Sequence, residues 1–298
     1  MSERSFRTRL PVDLRLTLGP LRRGRGDPTM RIGPSGAWRA TRTPEGPATT
    51  HLRVKGDAIV ARAWGPGSTW ALEAAPALVG ADDDEEGFAA HDPLVAELRR
   101  RLPGLRVGRT SAVVEALVPT VLEQKVVGIE AKRSYARLVR AWGEPAPGPG
   151  GLFLPPPPAR LAAAPYYDFH PFGVERRRAQ TVRLVCHHAR RLEEAAAMSP
   201  ADARRRLMAL PGVGPWSAAE VALFALGDAD AVSVGDYHLP HHVAWALAGE
   251  ARGTDERMLE LLEPYRGHRG RVIRLLEAGA PGPPRFGPRM PLRNLARL

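Results

Sequence analysis

The stretch Leu210-Pro211-Gly212-Val213-Gly214-Pro215-Trp216 joins two segments of helical pattern. Two glycines one residue apart permit positive φ and let the backbone approach a ligand closely. Pro215 presets the first helical residue and leaves the amides of the next turn unpaired. The turn therefore reads as a small nest of N–H groups suited to a phosphate oxygen, with Gly212, Val213, Gly214 and Trp216 as candidate phosphate contacts. A bare Gly-x-Gly turn is most often a plain helix connection, but here Leu-Pro precedes it and Trp-Ser-Ala-Ala follows. Asp236 stands twenty residues after Trp216, within Val234-Gly235-Asp236-Tyr237. Its carboxylate can cap the helical pattern over residues 239–247 or stabilise a cation developing in a site shielded from water, and the two roles are compatible. His238, His241 and His242 follow closely, yet Pro240 interrupts the set and no side-chain metal site is assigned.

The elements that must position these residues fall into two kinds. Val12, Leu14, Leu16 and Leu18 alternate with polar residues, which predicts a strand. Further strand-like segments at residues 30–32, 38–43 and 49–64 are separated by Gly/Pro turns, so residues from about 10 to 65 read as an antiparallel sheet. A helix is expected near residues 69–79, the acidic run 82–86 reads as a solvated loop, and Asp92-Pro93 opens a helix. From there the period becomes helical. Val114, Leu117, Val118, Val121 and Leu122 share a face, with Pro119 marking a kink or a boundary. Tyr135, Leu138, Val139 and Trp142 repeat the pattern until Gly143, and a breaker-rich loop spans residues 145–158. Val182, Val185, Ala189 and Leu192 define a helix whose outer face carries Arg176, Arg177, Arg183, Arg190 and Arg191. Ser199-Pro200 caps the next helix. The last 18 residues, with five prolines and four arginines, read as a loose tail.

Composition limits the function classes. Across 298 residues, 43 Lys and Arg stand against 32 Asp and Glu, a net charge of +11, and hydrophobic residues make up 44%. That is enough apolar content for one large or two ordinary domains. The excess suits a polyanionic partner, although 40 of the 43 are Arg and only Lys55, Lys125 and Lys132 are Lys, a skew that GC-rich coding also produces. The lone Cys186 closes no internal disulfide and builds neither a Cys-rich zinc site nor an iron–sulfur cluster. No apolar run reaches the roughly 18 residues of a membrane span, and no signal peptide is evident. The expected compartment is the reducing cytoplasm, in association with the nucleoid. No Walker-type or dinucleotide glycine loop is present.

Taken together, the hairpin Leu210 to Trp216, the Val234-Gly235-Asp236-Tyr237 segment and Val121-Leu122-Glu123-Gln124-Lys125-Val126 resemble the helix-hairpin-helix (HhH-GPD) DNA glycosylases, and within them the 3-methyladenine DNA glycosylase II branch. The resemblance runs from the N-terminal sheet to about residue 278. It implies an α+β fold, in which an N-terminal antiparallel β-sheet domain (residues 1–108) precedes an all-α helix-hairpin-helix domain (109–280) and the tail (281–298). It implies a monofunctional glycosylase in which Asp236 stabilises the oxocarbenium-like sugar as an alkylated purine leaves. Strand-cleaving relatives carry a Schiff-base lysine at the place of Trp216, which cannot form an imine. Trp216, Tyr237 and Trp245 are aromatic candidates for stacking an extruded base, Gln124 for a contact near the lesion, and Lys125 for the wedge position that is apolar in the family. Backbone carbonyls of Met208, Leu210 and Val213 are where such hairpins hold a monovalent cation; no cofactor is implied. Glu220 and Arg274 depart from the family, standing where its members carry a pocket tyrosine and a pocket tryptophan. The implied partner is double-stranded DNA containing damaged bases, bound by a monomer away from any membrane. A non-catalytic DNA-binding module using the same hairpin, and a glycosylase for oxidised or deaminated bases, are the competing readings.

Overall fold

The computed structural model describes residues 1–284; the tail expected at 281–298 lies almost wholly outside them. Five antiparallel strands form one sheet: β1 (Ser2–Arg7), β2 (Met30–Gly33), β3 (Gly36–Thr43), β4 (Gly46–Lys55) and β5 (Ala58–Trp64), in the order β1-β5-β4-β3-β2. Its long central strands pair Ala37 with Leu52 and Leu52 with Ala61, so small and aliphatic side chains alternate onto one face. That face is covered by α1 (Leu14–Leu18) and α2 (Ser68–Leu78), whose Leu14, Leu18, Ala71, Leu72, Ala75 and Leu78 are buried against Leu52, Ile59, Ala61 and Ala63.

Helices make up most of the remainder: α3 (Pro93–Arg101), α4 (Val113–Glu123), α5 (Gly128–Trp142), α6 (Pro158–Ala163), α7 (Arg176–His187), α8 (Ala189–Glu193), α9 (Pro200–Met208), α10 (Pro215–Val221), α11 (Leu239–Ala248), α12 (Asp255–Leu262) and α13 (Arg269–Gly279). Two apolar cores order them. The apolar face of α4 packs with α5, α7, α9 and α10 through Leu117, Val121, Leu138, Val182, Leu207 and Ala218. Val95 and Leu98 of α3 pack instead with α11, α12 and α13, through Val243, Met258, Val272 and Leu276. Burial pushes the Cys186 thiol up to about 12, the behaviour of a core side chain. Among the described residues, no helix is long and apolar enough to cross a membrane.

Several local expectations are corrected. Residues 14–18 are helical: Asp13 accepts from the amides of Arg15 and Leu16, and Leu14 and Leu18 share a buried face one turn apart. The first strand is Ser2–Arg7, whose charged sequence hides its role as a sheet edge. Residues 49–64 form two strands turning at Gly56. Pro119 interrupts nothing, since α4 runs through it. The helix expected across residues 182–192 divides into α7 and α8 at His188. A short pairing of Glu144–Pro145 with Phe153–Leu154 (β6 and β7) begins one residue before the expected loop and otherwise lies within it. Finally, the acidic run is not solvated throughout. Asp83, with its side chain 3% exposed, accepts from both Arg271 terminal nitrogens at 2.8 and 2.6 Å, and Glu85 meets Arg106 and Arg99. These acids neutralise arginines that α13 and the segment before α4 bring into the interior.

Candidate active site

The turn between α9 and α10 is built as its sequence suggests. Gly212 has φ +89°, and a Cβ there would collide with the Thr181 side chain of α7, so both conformation and packing demand glycine. Gly214 needs glycine for neither reason. It is the N-cap of α10 at φ −99°, and a Cβ would meet nothing within 4 Å. Its openness faces outward, where a ligand can approach the backbone. Val213 is buried, and its amide is spent on the Leu210 carbonyl at 3.0 Å. Among the described residues, the amides of Gly212 and Gly214 meet no carbonyl.

Asp236 is joined directly to this turn. Its Oδ2 accepts from Trp216 Nε1 at 2.9 Å, while Oδ1 accepts from the His238 and Leu239 amides at 2.7 and 2.8 Å. Its side chain thus caps the start of α11 and also binds the indole of α10. All three donors are neutral N–H groups, which satisfy the carboxylate's lone pairs without cancelling its charge. Gly235, at φ +88°, sets the bend, and its amide donates to Asp255 Oδ2 at 3.0 Å, anchoring the loop to the first turn of α12. Asp236 and Trp216 are both half-buried, so a ligand can reach them.

Gln124 follows α4 and donates its amide nitrogen to the Gly212 carbonyl and to Ser217 Oγ, both at 2.9 Å. It therefore pins the turn to α4, a role its exposed-looking sequence position gives no hint of. Lys125 comes next, exposed and at φ +54°, a left-handed conformation unusual for a lysine. Tyr237 is 76% exposed and rests edge-on against His238 and His241. Trp245 is half-buried on α11. The Met208 and Leu210 carbonyls lie on the α9 side of the turn, and His241 Nδ1 accepts from the Gly253 amide at 3.1 Å.

Two carboxyl groups border this region: Glu220, which the resemblance sets at a pocket position, and Asp255, which no motif marks. Glu220, one turn beyond Trp216 on α10, accepts a 2.5 Å hydrogen bond from Ser233 Oγ. Burial pushes it up to about 7; the Ser233 hydrogen bond opposes this, Glu277 and Glu123 add to it, and Arg23 resists it. Asp255, the anchor of Gly235, is an ordinary first-turn acid in sequence, and only the fold brings it to the loop. Arg274 is turned to structural use, with NH1 on Glu277 at 2.8 Å and NH2 on the Leu16 carbonyl at 3.1 Å.

No family model matches the chain. It is 34% identical over 167 residues to the probable bifunctional transcriptional activator/DNA repair enzyme AlkA of Mycobacterium tuberculosis, covering 54% of this chain and 34% of that protein. It is 26% identical over 184 residues to the DNA-3-methyladenine glycosylase of Bacillus subtilis, covering 60% of this chain and 61% of that one. The chain thus spans only about a third of the first relative's length. Among solved structures it resembles the 3-methyladenine DNA glycosylase of Archaeoglobus fulgidus (TM-score 0.77, 18% identity, 92% and 97% of the two chains). It also resembles the Clostridium acetobutylicum 8-oxoguanine glycosylase/lyase (TM-score 0.71, 14% identity, 93% and 96%). At such identities the likeness is one of fold: a mixed α and β architecture with a five-stranded antiparallel sheet. The resemblance to 3-methyladenine DNA glycosylases carried by the motifs is matched by the named relatives.

Proposed function

We propose that this chain is a monofunctional DNA glycosylase of base excision repair. It extrudes an alkylated purine such as 3-methyladenine from duplex DNA and hydrolyses its N-glycosidic bond. The observation that carries the reading is the bond between Asp236 Oδ2 and Trp216 Nε1, which ties the candidate catalytic carboxylate to the helix that follows the glycine turn. As the base departs, positive charge develops on the sugar, and a carboxylate whose partners among the described residues are neutral N–H groups is placed to stabilise it. A cationic alkylated base needs little proton assistance to leave, so the site must chiefly stack it and hold the sugar. Trp216 supplies an aromatic surface beside Asp236.

The turn at Gly212, Val213 and Gly214 takes a backbone phosphate, with the open face of Gly214 admitting the close approach. Met208, Leu210 and Val213 supply carbonyls for a monovalent cation on the same turn. Gln124 holds the turn in place from within. The left-handed backbone of Lys125 supports a wedge role, in which the side chain enters the stack as the base leaves. Tyr237, exposed beside Asp236, is a second aromatic surface for the extruded base. Residues 109–280 form the glycosylase part and 1–108 the β-rich part; the protein acts as a monomer, in the cytoplasm on nucleoid DNA, without a cofactor.

Duplexes each carrying one lesion (3-methyladenine, 7-methylguanine, hypoxanthine, 8-oxoguanine), assayed with and without alkaline cleavage, test the reading. Release of methylated bases that yields strand breaks only after alkali is expected. Breaks without alkali would place an amine nucleophile, Lys125 first, in the reaction. Duplex binding with no base released from any lesion would favour the non-catalytic module.

A further inference from the structure

Trp216 and Glu220 are one helical turn apart and share a face of α10. Two parallel links tie that face to one short segment: Trp216 Nε1 to Asp236, and Ser233 Oγ to Glu220 Oε1. The Asp236 amide in turn donates to the Ser233 carbonyl at 3.3 Å, which makes the segment a tight turn with one carboxyl at each end.

Charged groups face Glu220 from the other elements around it: Glu123 at the end of α4, Glu277 on α13 and Arg23 from the segment after α1. Both cations near this cluster are already engaged, Arg23 by Glu123 at 3.1 Å and Arg274 by Glu277 at 2.8 Å. Among the described residues, no cation forms a salt bridge with Glu220. A half-buried carboxyl with one hydroxyl partner and like charges for company is poorly suited to carrying charge and well suited to carrying a proton. Two carboxyl groups tied to one helix face, in unlike surroundings, are the usual arrangement for separating an electrostatic stabiliser from an acid.

We propose that Glu220 is the proton donor to the departing base, so that the site releases uncharged purines as well as cationic alkylated ones. The proposal rests on the glycosylase reading above. As the C1′–N bond breaks, its electron pair goes to the base, and the Glu220 proton is delivered to a ring nitrogen. Water then adds at C1′ beside Asp236 and loses its proton to solvent, and Glu220 is reprotonated from solvent. A cationic base needs no such proton, since its leaving nitrogen departs with its charge already cancelled.

The test is the ratio of hypoxanthine release to 7-methylguanine release under single-turnover conditions from pH 5.5 to 8.5, in the wild type, Glu220→Gln and Ser233→Ala. Glutamine copies the shape of the neutral acid but has no acidic proton. The Glu220→Gln ratio is expected to fall at least tenfold, and the decline of hypoxanthine release through about pH 7 to disappear. Ser233→Ala removes a hydrogen bond that favours the charged form, so this decline should move to higher pH. Circular dichroism reports folding; if Glu220→Gln does not fold, the Ser233→Ala shift decides alone. A ratio unchanged within twofold, an unmoved decline in Ser233→Ala, or 7-methylguanine release with no hypoxanthine release overturns the proposal and leaves the glycosylase reading standing. Release of neither base overturns both.

Discussion

Two groups of acidic side chains illustrate opposite ways of holding a carboxylate. In the first, Asp83 and Glu85 face Arg271, Arg106 and Arg99 across the contact between the segment before α3 and α13. Burial alone would raise Glu85, but Arg106, Arg271 and Arg99 together hold it below the usual carboxylate range. Each of these charges has an opposite partner, so the cluster cements two elements. In the second, among the described residues, Asp236 is satisfied only by neutral N–H donors, and Glu220 only by a hydroxyl. Charge in one case and a proton in the other are left available. The partner of an acid, more than its burial, separates structural from chemical use.

The sharpest way to break this comparison is Asp236→Asn. Base release from methylated duplex should fall at least about 10³-fold, roughly 4 kcal/mol of transition-state stabilisation, with duplex affinity and its salt dependence nearly unchanged. A large loss of affinity in filter binding would make Asp236 a DNA contact instead. Asp83→Ala should do the reverse. It leaves the Arg271 guanidinium buried with the 3.4 Å contact to Glu85 as its remaining ion pair, beside the Asp84 carbonyl at 2.7 Å and His268 Nδ1 at 3.4 Å, so denaturant unfolding should report about 3 kcal/mol of lost stability, while release per folded molecule is kept.

Next in size is a pH effect. The Glu220 acid is raised in the folded state from 4.5 to about 7. Its contribution to stability is therefore fully present below about pH 4.5 and is lost as pH rises through 7. A decline on the order of 2–3 kcal/mol across that window should be flattened in Glu220→Gln, as measured by urea melts at each pH. The smallest effects separate the two hairpin glycines. Gly212→Ala should cost about 1–3 kcal/mol of stability through its φ and its clash with Thr181. Gly214→Ala should fold nearly as well as the wild type, yet bind duplex about tenfold more weakly. Equal stability losses in the two would remove the argument that Gly214 is small for a ligand's sake.

Much of the framework was legible. The glycine turn, the Asp92 and Ser199 caps and the amphipathic faces of α4 and α5 follow from local rules that operate within one or two turns of chain. Residues 14–18 misled because leucine alternation over so short a stretch fits both periods, and Asp13 with the shared burial of Leu14 and Leu18 settled the matter in favour of helix. The sequence offers Gln124 as a contact near the lesion, and the fold adds that its amide nitrogen donates to the Gly212 carbonyl and to Ser217, a link no local pattern shows.

By itself the sequence determined the kinds of groups present and their spacing: a glycine turn with proline at the next helix start, an aspartate twenty residues on, and a basic surplus dominated by arginine. These are local or compositional properties. Only the tertiary structure decided which charges are spent. It placed Arg271 on Asp83 across 188 positions, Asp255 under Gly235, and Glu220 against Ser233 with no salt-bridge partner among the described residues. The reason is physical. Desolvation and charge pairing depend on what long-range packing brings within a few ångströms, and no local pattern in the chain encodes those distances.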